Sequence, residues 1–220
     1  MNLLKIGIIS NIHSNLYSLM EIYNLLEKEC VEIILCLGDI VGYGPHPNEV
    51  VNFIRRKHIV PIKGIYDSAV INNDFSHINE NTINNFSVDF TRTELTKNNL
   101  YYLSNLPLEL SMNFGELNIK FVHKNPYINN QDIQEDILVC GYEHIPDNIK
   151  LSKEKCIIMP GSCGKPVPSI GGVSCGVLEV SNNFYNYNIL KCEHFFSKIN
   201  KDMKMMNFPE ILINSYEIYA

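Results

Sequence analysis

The chain has 220 residues, 45% of them hydrophobic and 19% charged, with a formal net charge of −6. That length fits one sizeable α/β domain and argues against two, and the balance is that of an ordinary globular protein. The absence of any basic cluster argues against a nucleic-acid backbone as partner, and no apolar run approaches the length of a membrane span.

In chain order, residues 3–10 read as a central strand, because the run is largely continuous and apolar, as a strand buried on both faces should be. It is too short for the apolar core of a signal peptide and runs straight into polar residues. Leu16 to Lys28 has helical spacing, with Leu16, Leu19, Met20, Tyr23 and Leu26 on one side. Residues 32–38 form a second buried strand, 47–57 a helix with Pro47 near its start, and 58–64 a third strand. This order implies parallel strands joined by crossovers. Residues 79–105 are mostly helical in pattern. Strands follow at 108–114 and 117–123 around a Gly-Glu turn, then at 137–141 and 155–161. Residues 173–180 and 184–192 read as a second hairpin turning at Ser181-Asn182-Asn183. The expected organisation is one domain over 1–195 and a tail over 196–220, helical in part and docked on the domain.

The seven cysteines (Cys30, Cys36, Cys140, Cys156, Cys163, Cys175 and Cys192) are odd in number and include no C-x-x-C pair. Small buried hydrophobes of a reducing cytosol explain them better than a disulfide frame or a zinc site, so the expected location is cytoplasmic. The turn Gly161-Ser-Cys-Gly164 resembles a nucleophile turn around Cys163, but no spacing rule supports a Cys–His dyad, and a buried turn cysteine is the better reading.

Polar residues with chemical potential follow the strand ends. Asn11 and His13 come after the first strand, Asp39 after the second and Asp67 soon after the third, with His123 and His144 at or after later ones. Carboxyl ends of strands line the ligand crevice of an open α/β sheet. One such histidine alone is more often a hydrogen-bonded loop residue than a ligand. Several in the same topological place suggest a metal site.

The order Asn11-Ile-His13, Gly38-Asp39-Ile-Val-Gly-Tyr-Gly-Pro45, Gly64-Ile-Tyr-Asp67, His123 and Gly141-Tyr-Glu-His144-Ile-Pro146 resembles the calcineurin-like metallophosphoesterase family. Met159-Pro-Gly-Ser-Cys-Gly164 resembles the family's Asn-Pro-Gly-Ser turn. The resemblance spans residues 4–192 and implies an α/β fold of the αββα sandwich type, with two divalent metals bridged by one Asp. In that chemistry the metals activate the attacking water and clamp the reacting phosphoryl group.

Carried over position by position, the resemblance puts Asn11, His13, Asp39 and His144 at a first metal site. Asn11 stands where the family has Asp, so that site is weakened. Asp39 and His123 belong to the second site, but Ile65 and Tyr142 replace two of its ligands. Tyr66 replaces the histidine that handles the phosphoryl group, and a phenol does not cycle protons near neutral pH. Asp67 is expected to cap the following helix.

These departures favour a pseudoenzyme or binding module with a protein partner or a phosphorylated small molecule. The alternative is a slow phosphoester hydrolase with one divalent metal (Mn, Fe or Zn) at the first site and His123 positioning phosphate. A purely structural subunit, with Tyr66 and Tyr142 filling the old active-site edge, is a third reading.

Overall fold

The computed structural model describes residues 3–217 except 79, 128, 166, 168, 169, 183 and 193–195. Asn183 of the expected hairpin turn, and residues 218–220 of the expected tail, lie outside the described residues.

Two five-stranded mixed sheets make the centre. The first is built from β1 (Leu4–Ile9), β2 (Ile33–Cys36), β3 (Val60–Pro61), β9 (Val173–Ser181) and β10 (Phe184–Cys192), in the order β10-β9-β1-β2-β3. The second is built from β4 (Glu109–Phe114), β5 (Leu117–Val122), β6 (Ile137–Cys140), β7 (Asp147–Lys150) and β8 (Cys156–Met159), in the order β4-β5-β6-β8-β7. β1, β2 and β3 run parallel, as their helical connections require, while β9 returns antiparallel to β1.

Alternation along β1 and β2 explains the layering. Ile6, Ile8, Leu35 and Leu37 face the second sheet and meet Ile119, Phe121, Ile137, Val139 and Ile158 there. Ile9, Ile34 and Cys36 face the other way, toward helices α1 (Leu16–Lys28), α2 (Pro47–Arg56), α3 (Ile65–Asn72), α4 (Thr82–Glu94) and α5 (Lys97–Ser104). The helix starts are locally encoded. Asn15, Asn81 and Thr96 each accept from the backbone N–H three residues on, and Pro47 opens α2.

The strand reading needs two corrections. The third strand is two residues long, where 58–64 were expected. α3 begins at Ile65, and Asp67 caps it as expected, its carboxylate accepting from the Gly64 N–H at the helix start. β7, too polar to read as a strand, pairs antiparallel with β8 at the sheet edge.

Beyond β10, α6 (Ser197–Met205) and α7 (Glu210–Glu217) bury Ile199, Met203, Phe208, Leu212, Ile213 and Tyr216 together with Phe196 against Tyr17, Tyr43, Phe86 and Phe90. Asp202 of α6 accepts from the Tyr17 hydroxyl at 2.6 Å and faces His46 Nε2 at 3.0 Å. The Tyr17 hydrogen bond holds the Asp202 carboxyl below its ordinary range. A depressed carboxylate stabilises above the unfolded value of about 3.9, and that contribution is lost as pH falls through the folded value. Thermal melts should therefore show the advantage of wild type over Asp202→Asn at pH 6 shrinking toward pH 3. An advantage constant over that range would count against this anchor.

Five cysteines (Cys36, Cys140, Cys156, Cys163 and Cys175) are buried free thiols. Cys192 is half-buried and Cys30 exposed. Burial raises the Cys163 thiol well above its ordinary value, which disfavours it as a nucleophile. Among the described residues, no helix is long and apolar enough to cross a membrane.

Candidate functional site

The loops after β1 and β2 are zipped together by backbone bonds. Asn11 N–H donates to Gly38 O at 3.1 Å, His13 N–H to Asp39 O at 3.0 Å and Ser14 N–H to Ile40 O at 3.0 Å. Asn11, His13, Ser14 and Asp39 all have φ between 48° and 53°. Left-handed backbone at four non-glycine positions concentrates strain at one edge of the sheet. The turn after β8 closes the same edge, as Gly164 N–H donates to Asn11 O at 2.9 Å and Ser162 Oγ donates to the same oxygen at 3.1 Å. Gly64 is required by contact: a Cβ there would lie 2.1 Å from Asp39 N.

The structure brings His13, Asp39, His123 and His144 to this edge. His13 Nε2 is 3.8 Å from Asp39 Oδ2, and His123 Nε2 is 3.3 Å from Asp39 Oδ1. The His13 and His144 rings are nearly parallel, with centres 5.3 Å apart. Backbone carbonyls set two of the tautomers. His123 Nδ1 donates to Leu37 O at 2.7 Å and His144 Nδ1 donates to Lys165 O at 2.5 Å, leaving both Nε2 atoms to face the site. Asp39 is held by the Tyr66 N–H at 2.8 Å.

Burial lowers His13 to about 3 and also lowers His144, so both imidazoles are neutral near pH 7. Burial would raise Asp39, but His123, His13 and the Tyr66 N–H together outweigh it and keep the carboxylate ionised. Burial likewise opposes the charged form of His123, but Asp39, the Leu37 carbonyl and Asp67 together raise it. Asp67 is pushed up to about 6 by burial and by Asp39; it accepts from the Ile40 and Val41 N–H groups and fixes the loop beneath the site.

Asn11 has a role no carboxylate could fill. Its Nδ2 donates to Gly141 O at 2.6 Å and lies within 3.5 Å of the Gly161 and Glu143 carbonyls, so the amide pins three loops together. Its Oδ1 has no partner. His13 Nδ1 and Nε2 are likewise without hydrogen bonds, whereas His123 Nε2 faces the Asp39 carboxylate at 3.3 Å.

The replaced positions fare differently from one another. Ile65 lines a cavity of about 430 Å³ and offers no donor. Tyr66 is buried, and its hydroxyl donates to Asn84 Oδ1 of α4, an oxygen that also accepts from Tyr43 at 2.9 Å. Burial raises the Tyr66 phenol far above its ordinary value. Gly42, at φ 95°, makes room for the ring, since a Cβ there would lie 2.6 Å from Tyr66 Cδ1. Tyr66 thus fills space beside His13 and is clamped to Asn84 in the cavity wall. Tyr142 is 40% exposed and stands at the cavity rim, edge-on to His123 and under the Lys124 ammonium. Both tyrosines line an open cavity at this edge.

Three wall residues escaped the sequence reading: His77, Asn84 and Lys165. Lys165 directly follows the Gly161–Gly164 turn, a signal that could have been used. His77 and Asn84 reach the cavity only through the packing of the α3–α4 region, which has no local sequence signature.

Among the described residues, no three His, Cys, Asp or Glu side chains form a group that could hold a metal ion as they stand. The unpartnered lone pairs on Asn11 and His13 are the donor types a single cation takes. A pair of cations does not fit, because Ile65 and the exposed Tyr142 occupy two ligand positions.

The calcineurin-like phosphoesterase superfamily domain matches residues 4–183. An uncharacterized protein of Methanocaldococcus jannaschii is 28% identical over 94% of this chain and 95% of its own length. A metallophosphoesterase of Sphaerobacter thermophilus superposes with a TM-score of 0.77 at 24% identity, over 99% of this chain and 100% of that one. A hypothetical protein of Pyrococcus horikoshii OT3 superposes with a TM-score of 0.82 at 20% identity, over 96% of each chain. With the two-sheet sandwich and the strand-end histidines and aspartate in place, the chain belongs to the calcineurin-like phosphoesterase superfamily.

Proposed function

We propose that this protein binds a phosphorylated small molecule in the cavity at the strand ends and that its hydrolytic power is lost or strongly reduced. The observation that carries this reading is the clamp of Tyr66 onto Asn84 beside Ile65. The position that handles the phosphoryl group in the family is held by a neutral phenol committed to Asn84, and the adjacent ligand position by an alkyl chain. An open cavity with His77 and Lys165 in its wall remains beside them. A site decayed to a purely structural core would have closed.

A second reading is favoured by the unpartnered lone pairs. Buried acceptors left without partners each cost about 1–3 kcal/mol, and a cation would satisfy them. In that reading Asn11, His13, Asp39 and His144 would hold one divalent metal (Mn, Fe or Zn), with His123 orienting the phosphoryl group. The metal would supply charge neutralisation and an activated water. The chain's own contribution would be orientation: carbonyl-locked tautomers at His123 and His144, and an Asp39 carboxylate fixed by the Tyr66 N–H.

Hydrolysis of nitrophenyl phosphate mono- and diesters by metal-stripped protein resupplied with Mn²⁺ separates the two readings, with Asp39→Ala as control. The expected result is no turnover above the control. Turnover that requires both Mn²⁺ and Asp39 would overturn the first reading and install the second.

A further inference from the structure

Lys165 is fixed at both ends of its peptide unit. Its N–H donates to Ser162 Oγ at 2.9 Å and its carbonyl accepts from His144 Nδ1 at 2.5 Å. From this anchored backbone the side chain runs over Tyr43, placing Nζ 4.6 Å from the ring centre. It lines both the cavity of about 430 Å³ that contains His13, Asp39 and His144 and an adjoining one of about 280 Å³ reaching Asn81 and Ser215. Among the described residues no carboxylate pairs with it within 4.0 Å. Asp39 is committed to His123 and to the Tyr66 N–H, and Glu143, the other acid in the wall, is exposed.

We propose that Lys165 is the group that receives the phosphoryl end of an anionic ligand in this cavity, its ammonium standing in for the metal charge. The inference rests on the ligand-binding reading above and deepens it. A partly desolvated ammonium over an aromatic face, without a counter-ion, is a poor end state for the free protein and a good receptor for a phosphoryl dianion. Lysine suits this role as a point charge at the end of a long stem, able to meet phosphate oxygens in several orientations.

The same charge has the opposite effect on a metal. Lys165 lines the same cavity as His13, Asp39 and His144, and its own carbonyl holds His144, so its charge stands beside the donors a divalent cation would use. Phosphate binding and metal binding are therefore opposed through one side chain. Removing the charge loosens the first and tightens the second. A lysine that merely packs on Tyr43 would produce neither change.

The test uses the full chain, stripped of metal, as wild type, Lys165→Gln and Lys165→Arg. Matching thermal midpoints would show that all three fold. Inorganic phosphate is titrated calorimetrically in the presence of a chelator, and Mn²⁺ is titrated separately, with the free ion read by electron paramagnetic resonance. Wild type and Lys165→Arg are expected to bind phosphate without metal, and Lys165→Gln to bind it about tenfold or more weakly. Mn²⁺ should bind Lys165→Gln several-fold more tightly than wild type. Equal phosphate affinity in wild type and Lys165→Gln would overturn the inference while leaving the ligand-binding reading intact. Unchanged Mn²⁺ affinity would overturn it too, because the charge would then not bear on the metal donors. Phosphate binding that appears only after Mn²⁺ is added would overturn both and favour the one-metal reading.

Discussion

Asn11→Asp, which restores the family's acid, is expected to destabilise the metal-free protein by about 3 kcal/mol or more. The amide hydrogen bond to Gly141 O at 2.6 Å is lost, and a carboxylate oxygen is left facing backbone carbonyls in a fully buried position. For a chain of this size that corresponds to a fall in thermal midpoint of roughly 6–12 °C near neutral pH. The deficit should shrink at low pH. A protonated carboxyl can donate to Gly141 O in place of the amide, so the variant's folded pKa is raised and its penalty applies only where the acid is ionised. Mn²⁺ should recover part of the loss in Asn11→Asp and do little in wild type, since a ligand stabilises only the state it binds; at 100 times its Kd the recovery is about 2.7 kcal/mol. Melting curves of both proteins at pH 5 and 7.5, with and without Mn²⁺, contain the whole prediction. A variant as stable as wild type in chelator would refute the role given to the amide.

The second large effect is expected far from the strand ends. Phe208 is almost fully buried, with its ring centre 4.5 Å from that of Phe90 and 5.1 Å from that of Phe86, both on α4. Phe208→Ala should cost about 3–5 kcal/mol, lowering the denaturant midpoint at unchanged slope, because truncation removes the ring's burial and leaves a cavity between α4 and the C-terminal helices. A loss under about 1 kcal/mol would mean that these helices do not share the domain's core. The consequence reaches the cavity, since α4 also supplies Asn84, the oxygen on which Tyr43 and Tyr66 converge. Loosening the C-terminal helices should therefore loosen the clamp that holds Tyr66 on Asn84.

Much of this architecture was legible from local pattern. Continuous apolar runs mark β1 and β2 because both their faces are covered, and Asn11, His13, Asp39, His123 and His144 are recognisable because each follows such a strand. β7 was not legible, since an edge strand of sequence Asp-Asn-Ile-Lys needs neither apolar alternation nor high propensity when β8 supplies the pairing. Asp67 as the cap of α3 was legible, but its place at the third helical position depends on Gly64 packing against Asp39.

At the site, residue types alone set the expectation of an incomplete two-metal centre. An alkyl chain at Ile65 and a phenol at Tyr66 have fixed chemistry in any surroundings. Only tertiary structure decided what replaced that chemistry. Whether Asn11 is a neutral remnant or a three-loop tie depends on carbonyls 130 to 150 residues away in sequence. Which way Tyr66 points depends on Asn84, and whether Lys165 has a counter-ion depends on every acid near it. Donor type is a property of one residue. Direction, desolvation and the balance of charge belong to the assembled neighbourhood, so they are set only when the two sheets and their helices have packed.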